Sequence, residues 1–114
     1  MNSISTGIDI VEINRFKKIS FDKKIKFYEK IFDKNEIKYC LKFKDPFPHF
    51  AGKFALKEAF LKAVNQHMPL NKIHTTHEKT GKPLIMCSKI NCKQISVSLS
   101  HEKKFAIAIV IVIW

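Results

Sequence analysis

The apolar run at positions 106–114 is the feature that most limits what this chain can fold into. Its sequence, AIAIVIVIW, is rich in β-branched residues and apolar on both faces of the strand that it predicts. Such a strand belongs inside a sheet that is covered on both sides. A chain of 114 residues has material for about one domain with one helical layer. We therefore expect a single domain over residues 1–114, with helices on one sheet face and a second copy of the chain on the other.

The remaining segments predict a helical first half and a strand-rich second half. Helices are expected as a short one capped by Asn14, one over residues 35–43 capped by Asp33, and a long one over 50–65, after a break at residues 46–48. Strands are expected at residues 7–13, 73–77, 84–87, 94–100 and 105–114. The predicted fold class is α+β, an antiparallel sheet packed on one long buried helix plus short N-terminal helices.

Positive charge is concentrated in the first half of the chain. The formal net charge is +11, and residues 14–44 contain eleven basic side chains against four acidic ones. A polyanionic partner is expected, although composition leaves nucleic acid, an anionic membrane, an acidic protein and a phosphorylated small molecule open. Arg15 is the only arginine among 21 basic residues, so a planar donor for a carboxylate or phosphate is predicted there.

The cysteines and the paired histidines indicate no built metal or disulfide site. Cys40, Cys87 and Cys92 are odd in number and contain no Cys-x-x-Cys pair, which favours reduced thiols in a cytoplasmic protein. His74 and His77 fall on a predicted strand, where a spacing of three sends their side chains to opposite faces. No segment approaches the roughly 18 apolar residues of a membrane span, so no membrane association is expected.

Two carboxylates fall at positions that favour apolar side chains. Asp9 lies mid-strand on the same face as Gly7 and Val11, and Glu58 lies on an apolar face of the long helix. A buried carboxylate costs several kcal/mol, roughly, unless it is paired or binds a cation. Two interpretations stay open: each acid pairs with a lysine, Glu58 most obviously with Lys62 at i+4, or the two acids bind a hard metal ion.

Two further residues belong to the candidate site. Lys62 shares the face of Glu58, so it could reach an anionic group held by a cation there, which is the layout of a phosphate site. His101 is in phase with Leu99 and is predicted on the inward side of its strand, where it is either a satisfied core histidine or a site residue.

Three segments together resemble the holo-[acyl-carrier-protein] synthase family of 4′-phosphopantetheinyl transferases. They are GIDIVEINR at 7–15, FAGKFALKEAFLKAV at 50–64 and SLSHEKKFAIAIV at 98–110, with GKP at 81–83 as a fourth match. The resemblance runs nearly from end to end, and it rests on the order and spacing of these motifs.

The resemblance implies transfer of the phosphopantetheine arm of coenzyme A to a serine of apo-acyl carrier protein, in fatty acid biosynthesis. It implies that Asp9 and Glu58 bind Mg²⁺ and, with Lys62, are the catalytic residues. Contacts to substrate are implied for Arg15, Lys62, Gly81, Lys82, Pro83 and His101, with Arg15 on the acidic carrier protein and residues 81–83 at the nucleotide end. A homotrimer with active sites between protomers is also implied.

One segment departs from the family pattern. Where members usually have a Gly-rich turn after the long helix, this chain reads NQHMP at residues 65–69. Asn65 tolerates a left-handed conformation, so the turn is expected to form without glycine, with an altered nucleotide grip.

Two other functional classes are alternatives to the transferase. One is a small basic nucleic-acid-binding protein, but its basic half has phenylalanines at core spacing and no stacking pattern for bases. The other is a metal nuclease using Asp9, Glu58 and a lysine. For the transferase, the partners are apo-acyl carrier protein and coenzyme A, with no nucleic acid.

Overall fold

The computed structural model describes residues 3–114, in which four helices precede most of the strands. In chain order the elements are β1 Ile4–Glu12, α1 Asn14–Lys18, α2 Ile25–Ile31, α3 Lys34–Leu41, α4 Phe47–Val64, a 3₁₀ turn Leu70–Lys72, β2 His74–His77, β3 Pro83–Met86, β4 Gln94–His101 and β5 Phe105–Ile113. The α+β class expected from the sequence is confirmed.

The apolar C-terminal strand is the centre of the main sheet. This sheet is antiparallel with strand order β1-β5-β4, and β2 and β3 form a separate two-stranded antiparallel sheet. In the main sheet Asp9 pairs with Ala108, which pairs in turn with Leu99 of β4. Asp9 therefore lies in a row of inward-facing residues that runs across the sheet under α4.

Only one face of the sheet is covered within a single chain. The inward residues of β5 are fully buried beneath α4, whereas Ile107 and Ile109 on the other face are 42% and 39% exposed. On the neighbouring β1, Ile8 and Ile10 are each 59% exposed. The outer face is thus a continuous apolar surface, as the two-sided apolar run predicted.

Gly7 lets β1 lie directly against the backbone of α4. A Cβ atom at this position would be 1.8 Å from the carbonyl oxygen of Ala59 and 2.7 Å from the nitrogen of Ala63. No side chain fits in that space, so the close approach requires glycine. This contact brings Asp9, two residues along the same face of β1, beside the last turns of α4.

The helix ends agree with the sequence in one case and differ in two. Asp33 caps α3 with a full capping box, in which its side chain accepts from the Glu36 N–H at 2.7 Å and the Glu36 side chain accepts from the Asp33 N–H at 2.8 Å. The predicted cap at Asn14 is wrong, because Asn14 is the first residue of α1 and Ile13 precedes it without a side-chain cap bond. The Lys-rich stretch also forms two helices, α1 and α2, and not one.

The predicted break at residues 46–48 is wrong as well. Helix α4 begins at Phe47, with Pro46 at its N-cap and Pro48 in its first turn. Proline is tolerated there because the first N–H groups of a helix have no intrahelical acceptor. No helix within residues 3–114 is long and apolar enough to cross a membrane.

Candidate active site

Asp9 and Lys62 meet where β1 passes the end of α4. The Lys62 ammonium donates to Oδ1 of Asp9 at 3.1 Å and to the carbonyl oxygen of Ile8 at 2.9 Å. The Asp9 side chain is 17% exposed and that of Lys62 is 56% exposed. The lysine partner expected for one of the two acids therefore belongs to Asp9, and not to Glu58 at i−4 as the helix spacing had suggested.

Glu58 is a carboxylate without a partner in the described part of the chain. It lies one turn before Lys62 on α4, is half-buried, and makes no hydrogen bond or ion pair with residues 3–114. It opens on a cavity of about 460 Å³ that is lined by Glu58, Leu61, Lys62, Asn65, Gln66, His67 and Leu70. A half-buried acid with free lone pairs at a cavity can accept a cation.

Asn65 supplies the turn that was expected to form without glycine. It follows α4 in the left-handed conformation, with φ at 54° and ψ at 45°, and its N–H donates to the Leu61 carbonyl at 2.9 Å. Among residues 3–114 it is the one non-glycine residue with positive φ. This confirms the expectation, and it places the segment after α4 along the wall of the Glu58 cavity.

A second cavity brings together residues from four separate parts of the sequence. Its volume is about 230 Å³, and its lining includes Gly81, Pro83 and His101. Gly81 has φ at +92°, a left-handed value that favours glycine. Lys82 is exposed beside this cavity but is not part of its lining, and its carbonyl oxygen accepts from the Glu78 N–H at 2.9 Å.

The structure corrects the burial expected for His101. The residue is exposed, because it is the last residue of β4, next to the turn that leads to β5. It still borders the second cavity together with Leu99, and its ring centroid lies 6.3 Å from that of His49. His101 is therefore available to a ligand, which a core histidine would not be.

Lys53 and His77 are part of the second cavity and were missed from the sequence. Lys53 is 3% exposed, and its ammonium donates to Thr75 Oγ1 at 2.9 Å and to His77 Nε2 at 3.1 Å. Burial lowers the pKa of Lys53, and no carboxylate within the described residues pairs with it. A buried ammonium of this kind beside a cavity is suited to an anionic ligand.

The protonation of His77 follows from its two contacts. Because Nε2 accepts from Lys53, Nδ1 must carry the proton, and it donates to the Gly81 carbonyl oxygen at 3.2 Å. Burial, then the nearby Lys53 charge, lowers the pKa of His77. One signal could have identified this pair, since Lys53 stands inside the helix motif at an otherwise apolar position. Its partner 24 residues away could not be read from the sequence.

The two histidines weighed as metal ligands have separate partners. His74 Nδ1 lies 2.6 Å from Oδ2 of Asp33, while His77 bonds Lys53 and Gly81. Across residues 3–114 no three His, Cys, Asp or Glu side chains cluster so as to hold a metal ion. Cys40, Cys87 and Cys92 are free thiols, and burial raises the pKa of Cys40 to about 12.

Arg15 lies on the surface with an aromatic support. Its guanidinium carbon is 5.3 Å from the centroid of the Phe54 ring, and the side chain has no carboxylate partner within the described residues. A cation–π contact of this kind orients the planar group while leaving its N–H donors open to a ligand. Arg15 is therefore presented to an external anion.

Lys53 and Lys62 point in opposite directions from the same helix. They are nine residues apart, which corresponds to about two and a half turns of α4. The cavity of Lys53, His77 and His101 therefore faces away from the cavity of Glu58 and Lys62. Each side of α4 therefore carries a lysine ammonium beside a cavity.

Comparison with known proteins identifies relatives across nearly the whole chain. The sequence model of the 4′-phosphopantetheinyl transferase superfamily matches residues 5–110. A holo-[acyl-carrier-protein] synthase from Thermodesulfovibrio yellowstonii is 39% identical over 108 residues, covering 93% of this chain and 95% of the relative.

Solved structures agree with the sequence relatives. Helicobacter pylori holo-[acyl-carrier-protein] synthase in complex with coenzyme A has a TM-score of 0.82 at 38% identity, covering 94% of this chain and 98% of that one. The Bacillus anthracis synthase, solved with coenzyme A (3′,5′-ADP), has a TM-score of 0.83 at 33% identity, covering 95% and 94%. With the sequence model, the sequence relatives and the shared fold in agreement, this chain is an enzyme of the holo-[acyl-carrier-protein] synthase family, within the 4′-phosphopantetheinyl transferase superfamily.

Proposed function

We propose that this enzyme transfers the 4′-phosphopantetheine arm of coenzyme A to a serine of apo-acyl carrier protein, giving the holo protein for fatty acid biosynthesis in the cytoplasm. The observation that carries the proposal is the grouping of Asp9, Glu58 and Lys62 at the junction of β1 and α4. Glu58 and Lys62 line one cavity, and Lys62 contacts Asp9 beside it. Two carboxylates and an ammonium in this arrangement are suited to a pyrophosphate with its cation.

The reaction exchanges the phosphoanhydride bond of the coenzyme A pyrophosphate for a phosphodiester to serine. The serine oxygen forms a bond to the phosphorus that bears the pantetheine arm, and the bond from that phosphorus to the bridging oxygen breaks. The serine proton is released, and adenosine 3′,5′-bisphosphate leaves with the bridging oxygen. Such a transfer needs mainly positioning and neutralisation of charge, which Lys62 supplies with an ammonium that is more than half exposed.

Asp9 and Glu58 are the residues that would hold Mg²⁺. Both offer carboxylate oxygens, the donors that Mg²⁺ prefers, and the ion commonly takes one or two protein carboxylates plus water and substrate phosphate. The unpartnered Glu58 and the Asp9 oxygen left free by Lys62 fit this role. When bound, Mg²⁺ would neutralise charge on the pyrophosphate.

The second cavity is the proposed site of the nucleotide end. The family resemblance implies Gly81, Lys82 and Pro83 at the nucleotide end and His101 as a phosphate-side contact. The Lys53 ammonium adds a buried cation on the cavity that Gly81, Pro83 and His101 line. The coenzyme A nucleotide carries a phosphate in addition to the pyrophosphate. A cation in a site of low exposure is suited to bind that group.

The opposed directions of the two cavities support a site shared between protomers. One coenzyme A molecule cannot contact Lys53 and Lys62 of the same α4 if these side chains face opposite ways. It can do so if a neighbouring protomer supplies the Lys53 half. The exposed apolar face of β1 and β5 is suited to such an assembly, and we propose a homotrimer.

Arg15 and the lysines of α1 and α2 are the proposed docking surface for the carrier protein. Arg15 is exposed and oriented by Phe54, and lysines in the same helices supply long-range attraction for an acidic partner. The family assignment leaves the nucleic-acid-binding and nuclease interpretations without support.

The deciding experiment is the mass of an apo-acyl carrier protein after incubation with this enzyme, coenzyme A and Mg²⁺. A mass increase of one phosphopantetheine group, absent when the acceptor serine is changed to alanine, is the expected result. Release of adenosine 3′,5′-bisphosphate in equal amount would identify the second product. An unchanged carrier mass with several different carrier proteins would contradict the proposed function.

A further inference from the structure

The Lys57 ammonium is completely buried and joins three separate parts of the chain. Its side chain is 0% exposed. It donates to the Ile31 carbonyl at 2.6 Å, to Oε1 of Glu36 at 2.6 Å and to the Leu70 carbonyl at 3.0 Å. These acceptors belong to the end of α2, to α3 and to the 3₁₀ turn. Because no solvent or ligand can reach it, Lys57 cannot contact substrate.

The Glu36 carboxylate, which pairs with Lys57, has hydrogen-bond donors on both of its oxygens. Glu36 is 1% exposed, and it accepts from the Asp33 N–H at 2.8 Å and from the Thr75 N–H at 2.8 Å, as well as from the Thr75 hydroxyl. A buried ion pair is a weak source of stability, since apolar residues of similar volume are often as stable. The complete set of partners indicates a role in fixing geometry.

The bond to Leu70 ties the segment after α4 to the helix that carries the candidate catalytic residues. This segment, residues 65–72, forms the far wall of the cavity that holds Glu58 and Lys62. It contains no glycine and little regular structure, and Lys57 is the neighbour of Glu58 in sequence. Movement of this segment would therefore change the shape of the cavity.

Two further, weaker contacts also hold residues 65–72. Asn71 Nδ2 donates to the Glu29 carbonyl at 3.2 Å, and Met68 Sδ lies 3.5 Å from Cys87 Sγ. Among these contacts, only the one from Lys57 is charged and fully buried, so it is the strongest single restraint on the segment.

We propose that Lys57, together with Glu36, is a positioning residue that holds residues 65–72 against α4 and so preserves the phosphate side of the coenzyme A site. This inference rests on the proposed function. The segment contains no glycine, and Lys57 holds it as a clamp through the Leu70 carbonyl.

The test uses a variant that removes the clamp without leaving a buried charge. In the Glu36→Gln/Lys57→Met variant both members of the ion pair are neutral and close in size to the originals, and the methionine cannot donate to Leu70. Tyr28→Phe is the matched control, because it removes a buried hydrogen bond, to the Phe16 carbonyl at 3.3 Å, in which no residue of the segment takes part. Both are compared with the parent in kinetics and in amide hydrogen exchange.

The expected kinetic result is selective for coenzyme A. In the double variant the KM for coenzyme A should rise about 10-fold to 100-fold, while the KM for carrier protein stays within about threefold of the parent. Tyr28→Phe should leave both constants within about threefold. A KM for coenzyme A that is unchanged in the folded double variant, or that rises by the same factor as the KM for carrier protein, would overturn the proposal.

Hydrogen exchange tests the clamp without relying on activity. In the parent, the amides of Asn65, Lys72 and Ile73 should exchange slowly, as part of a fixed segment, and they should exchange at least about tenfold faster in the double variant. Free exchange of these amides in the parent would overturn the clamp even if the double variant failed to fold. A parent without transferase activity but with slow exchange would contradict the proposed function and leave the clamp standing.

Discussion

Lys62 of α4 donates to Asp9 of β1 with 3.1 Å between Nζ and Oδ1, and this contact joins the helix and the strand that carry the candidate catalytic residues. The ammonium also donates to the Ile8 carbonyl at 2.9 Å. It remains 56% exposed, so it can bind a phosphate oxygen while it stays beside Asp9. The close approach at Gly7 is what makes this contact possible.

Replacing Lys62 should lower catalytic activity strongly while changing the stability of the fold only slightly. In Lys62→Met the ammonium that is lost is more than half exposed, so the free energy of unfolding should fall by no more than about 1 kcal/mol. Loss of the cation on the phosphates should lower kcat/KM for coenzyme A by about 100-fold or more. Steady-state kinetics and urea unfolding measure the two effects. Lys89→Met, at an exposed site after β3, is the control, and a Lys62→Met enzyme within threefold of it would contradict the assignment.

Asp9→Asn and Glu58→Gln should each abolish Mg²⁺-dependent transfer. Both changes keep the size of the side chain but remove the charge that holds a hard cation, so transfer should fall at least about 100-fold. Glu58 has no partner within the described residues, so its replacement should leave the unfolding transition near that of the parent. Full activity of both variants across a Mg²⁺ titration would exclude these residues as the metal ligands.

Arg15→Glu should weaken binding of the carrier protein and leave binding of coenzyme A unaffected. The change reverses the charge at an exposed site supported by Phe54, and we expect the KM for carrier protein to rise about tenfold, with a weaker dependence on salt. Lys89→Glu makes the same change of charge sign away from this surface. If both variants raise the KM equally, net charge and not the Arg15 site attracts the carrier.

Much of the framework follows from local patterns in the sequence. The two-sided apolar run identifies β5 as the central strand, Asp33 and Glu36 have the spacing of a capping box, and Asn65 is a residue that accepts positive φ. Asp9 and Glu58 could be grouped because each stands at a position that otherwise favours apolar side chains, and Lys62 could be added because it shares the face of Glu58.

The parts that could not be predicted depend on contacts between distant segments. Lys53 and His77 are 24 residues apart, and Lys57 and Glu36 are 21 apart, so no periodicity links either pair. Lysine is also the commonest charged residue of this chain, so the sequence does not distinguish the buried Lys53 and Lys57 from the exposed lysines. His101 was predicted to be buried but is exposed. The phase of a strand gives the direction of a side chain, but it does not show how far the helices that cover the sheet extend along that strand.

Asn65 offers a direct test of the turn that replaces glycine. At φ of 54°, Asn65→Ala should lower the free energy of unfolding by about 1 to 2 kcal/mol, because its Cβ is strained in the left-handed region. Asn65→Gly should be neutral to within a few tenths of a kcal/mol, since glycine adopts this conformation freely. Chemical denaturation of the three proteins gives both values. Equal stability of the alanine and asparagine forms would show that the turn is not held in this conformation.

The neutral ring of His77 should make the enzyme less stable in mild acid. Its Nε2 accepts from Lys53, and burial, followed by the charge of Lys53, lowers its pKa below the ordinary 6.5. Burial also lowers the pKa of His49, on the same cavity, with His101 the next cause. Between the lowered folded pKa and the unfolded one, the unfolded chain binds more protons, so stability rises with pH in that window.

The contribution of the neutral His77 ring to the free energy of unfolding should therefore be fully present above about pH 6.5. It should be lost as the pH falls from there through the folded pKa of His77. Urea unfolding from about pH 5 to pH 8 measures the slope, and the His77→Asn variant should show a shallower one, because it lacks the titrating ring. His67→Asn, at an exposed position on the other cavity, is the matched control. A His77→Asn slope equal to that of the parent would mean that His77 is protonated equally in the folded and unfolded states, and the bond from Lys53 would then not hold its ring neutral.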